Sequence, residues 1–176
     1  SATKEQVESL GGKFIMVDDE ESKESETSGG YAKEMSEEYK KKQAVLIAET
    51  VAKQDIIICT ALIPGRTAPV LISEEMVNSM ARGSIIVDLA VESGGNCPLS
   101  RVDEIVEHNG VKIMGYSNVP GRVAKDASSL YAKNIVNFLT LIINKEEKKI
   151  NIDWEDEIIN SVVLTHNGKV KLDKFI

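Results

Sequence analysis

Cysteine and histidine are scarce in this chain: two of each, Cys59, Cys97, His108 and His166. None of the four falls in a C-x-x-C or Cys/His spacing that suits zinc, so no structural zinc is expected. Free thiols suit a reducing compartment. Cys59 closes an apolar run and reads as a small buried hydrophobe. Basic charge is also in deficit, with 21 Lys and Arg against 28 Asp and Glu, a formal net charge of -7. A protein that grips a phosphate backbone carries the opposite balance, so no nucleic-acid partner is expected. The compact basic run Lys40-Lys41-Lys42 follows Glu37-Glu38 and reads as a solvated helix face. No apolar run approaches the ~20 residues that span a bilayer. Ser1 to Leu10 is polar and helical in pattern and lacks the signature of a signal peptide. With no initiator Met, the sequence reads as a piece that begins inside a longer protein.

What is present is enough for one sizeable core and at most a small second lobe: 176 residues, 42% of them hydrophobic. Val7 and Leu10 followed by Gly11-Gly12 predict the end of an amphipathic helix with a glycine cap. Phe14 to Val17 reads as a short buried strand, and Asp18 to Glu26 as a solvated acidic loop. Tyr39, Gln43, Leu46, Ile47 and Val51 form a helical stripe from about Ser36 to Lys53. Ile56–Cys59 is the next strand. Ser73 before Glu74-Glu75 predicts an N-cap with acids in the first turn, and a helix that runs to Arg82-Gly83. Met76 and Met80, at helical spacing, read as core. Ile85–Ala90 and Val111–Gly115 are further apolar strands. Asp126 to about Asn144 is a long helix with a wide apolar face, expected to pack on more than one neighbour. Lys149–Trp154 and Ser161–Val170 alternate like strands, with a hairpin turn at His166-Asn167-Gly168.

Strands alternating with helices predict a parallel sheet, and continuous apolar runs predict one covered on both faces. Ligands of such sheets bind beyond the carboxyl ends of the strands. Each strand here leaves into small residues and turn formers: Thr60-Ala61-Leu62-Ile63-Pro64-Gly65, Glu92-Ser93-Gly94-Gly95-Asn96 and Ser117-Asn118-Val119-Pro120-Gly121. Such residues let backbone approach a flat ligand closely.

No G-x-G-x-x-G occurs. A dinucleotide site would need its phosphate-binding turn upstream of Ser1, and the alternative is that no such turn exists. Gly29-Gly30-Tyr31-Ala32-Lys33-Glu34-Met35 reads as a flexible connector or as a mobile lid with glycine hinges, the connector being the simpler. Asp88 and Glu92 stand at or just past a strand end. They could serve as acid and base, but carboxylates so placed more often cap turns. His108 and His166 read as surface-turn residues. Nothing activates Ser117, Cys59 or Cys97 as a nucleophile.

Three stretches, "TALIPGRTAPVLISEEMVNSMARGSIIVDLAVESGGNCPL", "GGYAKEMSEEYKKKQ" and "GYSNVPGRVAKDASSLYAKNIVNFLT", resemble the alpha subunit of proton-translocating NAD(P) transhydrogenases, in its soluble NAD(H)-binding domain. Alanine dehydrogenases are more distantly similar. The resemblance implies an α/β fold: a partial Rossmann-like parallel sheet lacking its first βαβ half, over residues 1–124. A long crossing helix and a small β segment of a second subdomain would follow over 125–176. The glycine fingerprint would lie before Ser1, as would the acidic residue that holds the ribose. The resemblance assigns Gly30, Tyr31 and Met35 to a mobile loop that folds over NAD(H). It makes Gln43 a dinucleotide contact and sets Thr60, Ala61 and Leu62 against the adenosine side. Asn118 and Val119 would lie near the nicotinamide. Glu92 stands where alanine dehydrogenases have a functional aspartate, and the extra methylene argues against amino-acid oxidation. The resemblance also implies NADP(H) on a partner domain, a separate membrane domain that moves protons and a homodimer. It places the chain as a peripheral domain on the cytoplasmic or matrix side of an inner membrane. No catalytic side chain is required, because hydride passes directly between two nicotinamides.

Overall fold

Apolar runs and one hairpin arm build a four-stranded sheet. The computed structural model describes residues 2–17, 36–63 and 65–171. The chain divides into two compact units, Ser1–Val119 and Pro120–Ile176. In the first, helix α1 (Ala2–Ser9) is stopped at Gly11, whose φ of +80° suits glycine. Gly12 N–H closes the cap on the Val7 carbonyl. Residues 13–17 form no strand, contrary to the apolar signal of Phe14 to Val17. Ile15 and Met16 are exposed there, so the run has no sheet to join among the described residues.

Helix α2 (Glu37–Val51) begins where Ser36 Oγ accepts the Tyr39 N–H at 3.2 Å. Its lysines pair locally, Lys40 with Glu37 and Lys42 with Glu38, as a solvated face should. Strand β1 (Ile56–Cys59) follows. Helix α3 (Glu74–Ser79) has the expected cap, Ser73 Oγ accepting from Met76 N at 3.3 Å. The same hydroxyl holds the Glu75 carboxyl below its ordinary range. The helix stops at Ser79, short of Arg82-Gly83.

Strands β2 (Ile85–Asp88), β3 (Ile105–His108) and β4 (Val111–Met114) complete a sheet of order β1-β2-β4-β3. β1, β2 and β4 are parallel, and β3 is antiparallel to β4. β3 is not among the strands expected from the sequence, and its last residue, His108, lies in the ladder rather than in a surface turn. Asn109 and Gly110, at φ +52° and +83°, form the two-residue turn that a tight hairpin needs.

Register sorts the side chains into two faces. Ile57, Ile86, Ile113 and Val106 are successive partners on one face. They pack with Val51, Val77, Met80 and Val111, and with Ile47 and Met76 at the margin. Each fully buried aliphatic there contributes about 1.5–3 kcal/mol relative to exposure. The other face carries Ile56, Ile58, Ile85, Val87, Ile105 and Met114. Ile56 and Ile58 are each 62% exposed, which corrects the expectation of a sheet covered on both sides. Both α2 and α3 lie on the buried face; on the other, Ile85, Val87 and Met114 are half-buried, and the face is open at β1.

From Val119 the chain forms a short turn of helix, α4 (Val119–Arg122), and then α5 (Ala124–Ile142), the long helix expected there. No residue of α5 is buried, so the described residues do not give its apolar face the several neighbours expected of it. Strands β5 (Ile143–Asn144) and β6 (Lys149–Ile150) pair over two residues each. The strand expected to reach Trp154 ends at Ile150, and helix α6 (Glu157–Val162) takes the first two residues of the strand expected over Ser161–Val170, Asp156 capping it by accepting the Ile158 and Ile159 N–H groups. The hairpin β7 (Thr165–His166) and β8 (Lys169–Val170) forms as read, with Asn167 and Gly168 at positive φ. The His166 ring lies 4.1 Å from that of Trp154. No described helix is long and apolar enough to cross a membrane.

Candidate functional site

Because β1, β2 and β4 run parallel, the segments that follow them gather at one edge of the sheet. Residues 60–63 and 65–69 leave β1, 89–100 leave β2, and 115–119 leave β4. A network of buried polar groups organises them.

Asp88, the last residue of β2, is wholly buried. Its Oδ1 accepts the Ala90 N–H at 3.0 Å. Its Oδ2 accepts from the Asn96 and Cys97 N–H groups at 2.9 and 3.1 Å and from Ser100 Oγ at 2.6 Å. Of its two sequence readings, turn cap is the one that this geometry fits. Gly95 lies beside it at φ +80°, where an added Cβ would meet Asp88 Oδ2 at 2.9 Å. Burial first, then the Asp88 charge and Cys97, push the Cys59 thiol up from 9.0 to about 11. Burial likewise raises Cys97. Both are buried free thiols of the kind expected, and neither is primed as a nucleophile.

Asn96 is also wholly buried, and its side chain engages both of its donors and its acceptor oxygen. Its Oδ1 accepts the Ala61 N–H at 3.1 Å, and its Nδ2 donates to the carbonyls of Ala61 at 3.0 Å and Pro69 at 2.7 Å. Its own carbonyl accepts from Leu71 and Ile72. The segment after β1 is thus tied to the segment after β2 through one side chain. Nothing in the local pattern singles Asn96 out, since Gly-Gly-Asn reads as a turn.

Thr60 and Leu62 flank the clamped Ala61 and are exposed, Leu62 by 51%. Next to them lies an open cleft of about 660 Å³ lined by Gly65, Arg66, Thr67, Glu92 and Ser93. On its far side Glu92 Oε2 accepts the Asn118 N–H at 3.3 Å. Asp103 Oδ1 accepts from Ser117 N at 3.0 Å and Ser117 Oγ at 2.6 Å. The structure therefore brings Thr60, Ala61, Leu62, Asn118 and Val119 to the same sheet edge, with Val119 half-buried. Gln43 is exposed on α2, and no hydrogen bond among the described residues ties it to that edge. Gly30, Tyr31 and Met35 lie outside the described residues. His108 is directed elsewhere, its Nε2 2.9 Å from Asn78 Oδ1 and 3.7 Å from Glu74.

A parallel-rich sheet whose strand ends open into a cleft of small residues is the Rossmann-like class of α/β fold. This chain belongs to the alanine dehydrogenase/PNT C-terminal domain family, which it matches over residues 1–173. It is 59% identical over 170 residues to an NAD(P) transhydrogenase alpha-subunit polypeptide of Rhodospirillum rubrum, covering 97% of this chain and 44% of that one. The crystal structure of transhydrogenase from Sinorhizobium meliloti superposes with a TM-score of 0.69 at 47% identity, over 96% of this chain and 42% of that one. An alanine dehydrogenase of Methanococcus maripaludis is 37% identical over 131 residues, 70% of this chain and 34% of that one. The chain thus spans less than half the length of the relatives it matches.

Thr60 and Leu62 are exposed beside the clamped Ala61, and the cleft is lined by small, polar and charged residues. No glycine-rich turn opening a helix is present to take a pyrophosphate among the described residues.

Proposed function

We propose that this chain is part of the NAD(H)-binding component of a proton-translocating NAD(P) transhydrogenase. The observation that carries this is the likeness itself: 59% identity to a transhydrogenase subunit across 97% of the chain, against 37% to an alanine dehydrogenase across 70%. In this reading bound NAD(H) supplies the hydride, which is exchanged with NADP(H) on a partner domain, and a membrane domain couples the exchange to proton movement. The residues of this chain shape and shield. Thr60, Ala61 and Leu62 form the wall on the adenosine side, and Gln43 is a further contact. Asn118 and Val119 border the nicotinamide. Gly30, Tyr31 and Met35 belong to the loop that closes and excludes water. No side chain needs to move a proton, which accords with Asp88 and Cys59 being buried and committed to structure. The assembly is a homodimer on the cytoplasmic or matrix face of an inner membrane. Residues 1–176 alone bind NADH weakly and transfer no hydride.

The test uses the whole protein that carries this chain. Mixed with an NADP(H)-binding partner domain, it should transfer hydride between NADH and an NADP+ analogue. Rapid alanine-dependent formation of NADH without any partner would replace this reading with the amino-acid dehydrogenase one.

A further inference from the structure

We infer that Asn96 is a positioning residue for dinucleotide binding, setting the wall formed by Thr60, Ala61 and Leu62 without touching the cofactor. The inference rests on the proposed function. Its physical basis is a mock strand pair. Ala61 donates its N–H to Asn96 Oδ1, and its carbonyl accepts from Asn96 Nδ2, the exchange that a neighbouring strand would make. The ladder of β1 with β2 ends at Cys59 and Asp88, so a side chain continues it past the end of the sheet. The second Nδ2 hydrogen bond, to Pro69, closes the loop that leaves β1 into a ring around the same amide. All these groups are held at 2.7–3.1 Å.

The amide is itself fixed from behind. Asp88 accepts the Asn96 backbone N–H, and Leu71 and Ile72 donate to its carbonyl. The chain of support therefore runs from the strand end, through Asp88 and Asn96, to the backbone on which Thr60 and Leu62 are displayed. A buried amide whose oxygen and both N–H groups are engaged has one orientation, so the wall has one shape before ligand arrives. Removing that amide leaves Ala61 without either partner and frees the segment on which the exposed wall residues stand.

The experiment compares the whole protein with Asn96→Ala, Asn96→Asp and the core control Ile113→Val. Amide exchange of Ala61 without cofactor reads the clamp directly, NADH titration reads affinity, and hydride transfer at saturating NADH reads kcat. Asn96→Ala should expose the Ala61 N–H to exchange and raise the Kd for NADH about tenfold, with KM moving more than kcat. Asn96→Asp keeps the oxygen facing the Ala61 N–H but sets a second oxygen against two carbonyls. It should raise Kd about threefold or more, and it carries the test if Asn96→Ala does not fold. Ile113→Val should lower stability and leave Kd within about twofold. A Kd unchanged in the folded Asn96 variants overturns the inference, as does an equal rise in Ile113→Val. A parent protein that binds no NADH overturns the proposed function itself, and shows it as an absent titration rather than a shifted one.

Discussion

The carboxylate of Glu92 accepts the backbone N–H of Asn118 at 3.3 Å, joining the segment after β2 to the segment after β4. Asn118 sits there at φ +44°, a conformation asparagine tolerates better than most side chains. The bond is exposed, so water can replace it. Glu92→Ala should cost less than about 1 kcal/mol in urea unfolding, and Glu92→Gln less still. Glu92→Asp, which withdraws the carboxylate by one methylene, should confer no alanine-dependent NADH formation. Spectrophotometric assay with alanine and NAD+ checks this.

The buried thiols should be silent in the folded protein. Both cysteines are free, and burial raises both. A thiol reagent at mildly alkaline pH should label neither until urea unfolds the chain, and then label both. Rapid labelling of native protein would contradict the packing around Asp88.

Cys59 also sets a pH dependence. Its folded value is raised from 9.0 to about 11, so the fold favours the neutral thiol. Its stabilising contribution is complete below pH 9 and is lost as pH rises from 9 towards 11, where the unfolded chain sheds the proton first. Urea midpoints across that range should fall with pH, and Cys59→Ala should flatten some of the slope.

Gly115 leaves no room for a side chain. A Cβ there would overlap the carbonyl oxygen of Arg101 and lie 3.1 Å from Val91 Cγ2. The obstacle is backbone, which cannot swing aside. Gly115→Ala should destabilise by about 2 kcal/mol or more, in the class of overpacked core substitutions. At Gly83 an added Cβ has open space, but φ is +92°, so Gly83→Ala should cost about 1 kcal/mol through backbone strain alone. Thermal unfolding of the pair separates the two causes.

Tyr31→Phe and Met35→Ala, made in the whole protein, should slow hydride transfer more than they lower the melting temperature. Single-turnover rates beside calorimetry provide the comparison. Unchanged rates would remove both residues from the proposed lid.

The sequence makes some elements plain and hides others for identifiable reasons. Ile57 and Ile86 lie in unbroken apolar runs and Ile113 in one broken only by Lys112, so the parallel strands are readable. Ser73 and Ser36 stand ahead of glutamates, so two helix starts are too. Two His-Asn-Gly turns occur, at 108–110 and 166–168, and both close hairpins. The second is legible because alternation surrounds it. The first is obscured because Ile105-Val106-Glu107-His108 is short and half polar. Phe14 to Val17 misleads in the opposite way, being apolar with no sheet beside it among the described residues. The small residues after each strand are plain in the sequence, and the parallel order of the strands gathers them at one edge. Asn96 is illegible, because its role lies in contacts 35 and 27 residues away.

The two edges of the sheet differ in chemistry. At one side the edge strand is β3, antiparallel to β4 and half polar, with Glu107 and His108. At the other, β1 offers Ile56-Ile57-Ile58-Cys59 with no described strand beyond it. Nothing in those four positions, neither lysine nor proline, discourages a passing strand. Colloidal behaviour follows from this: left uncovered, the outer rim of β1 is a place where separate copies of residues 1–176 would template one another.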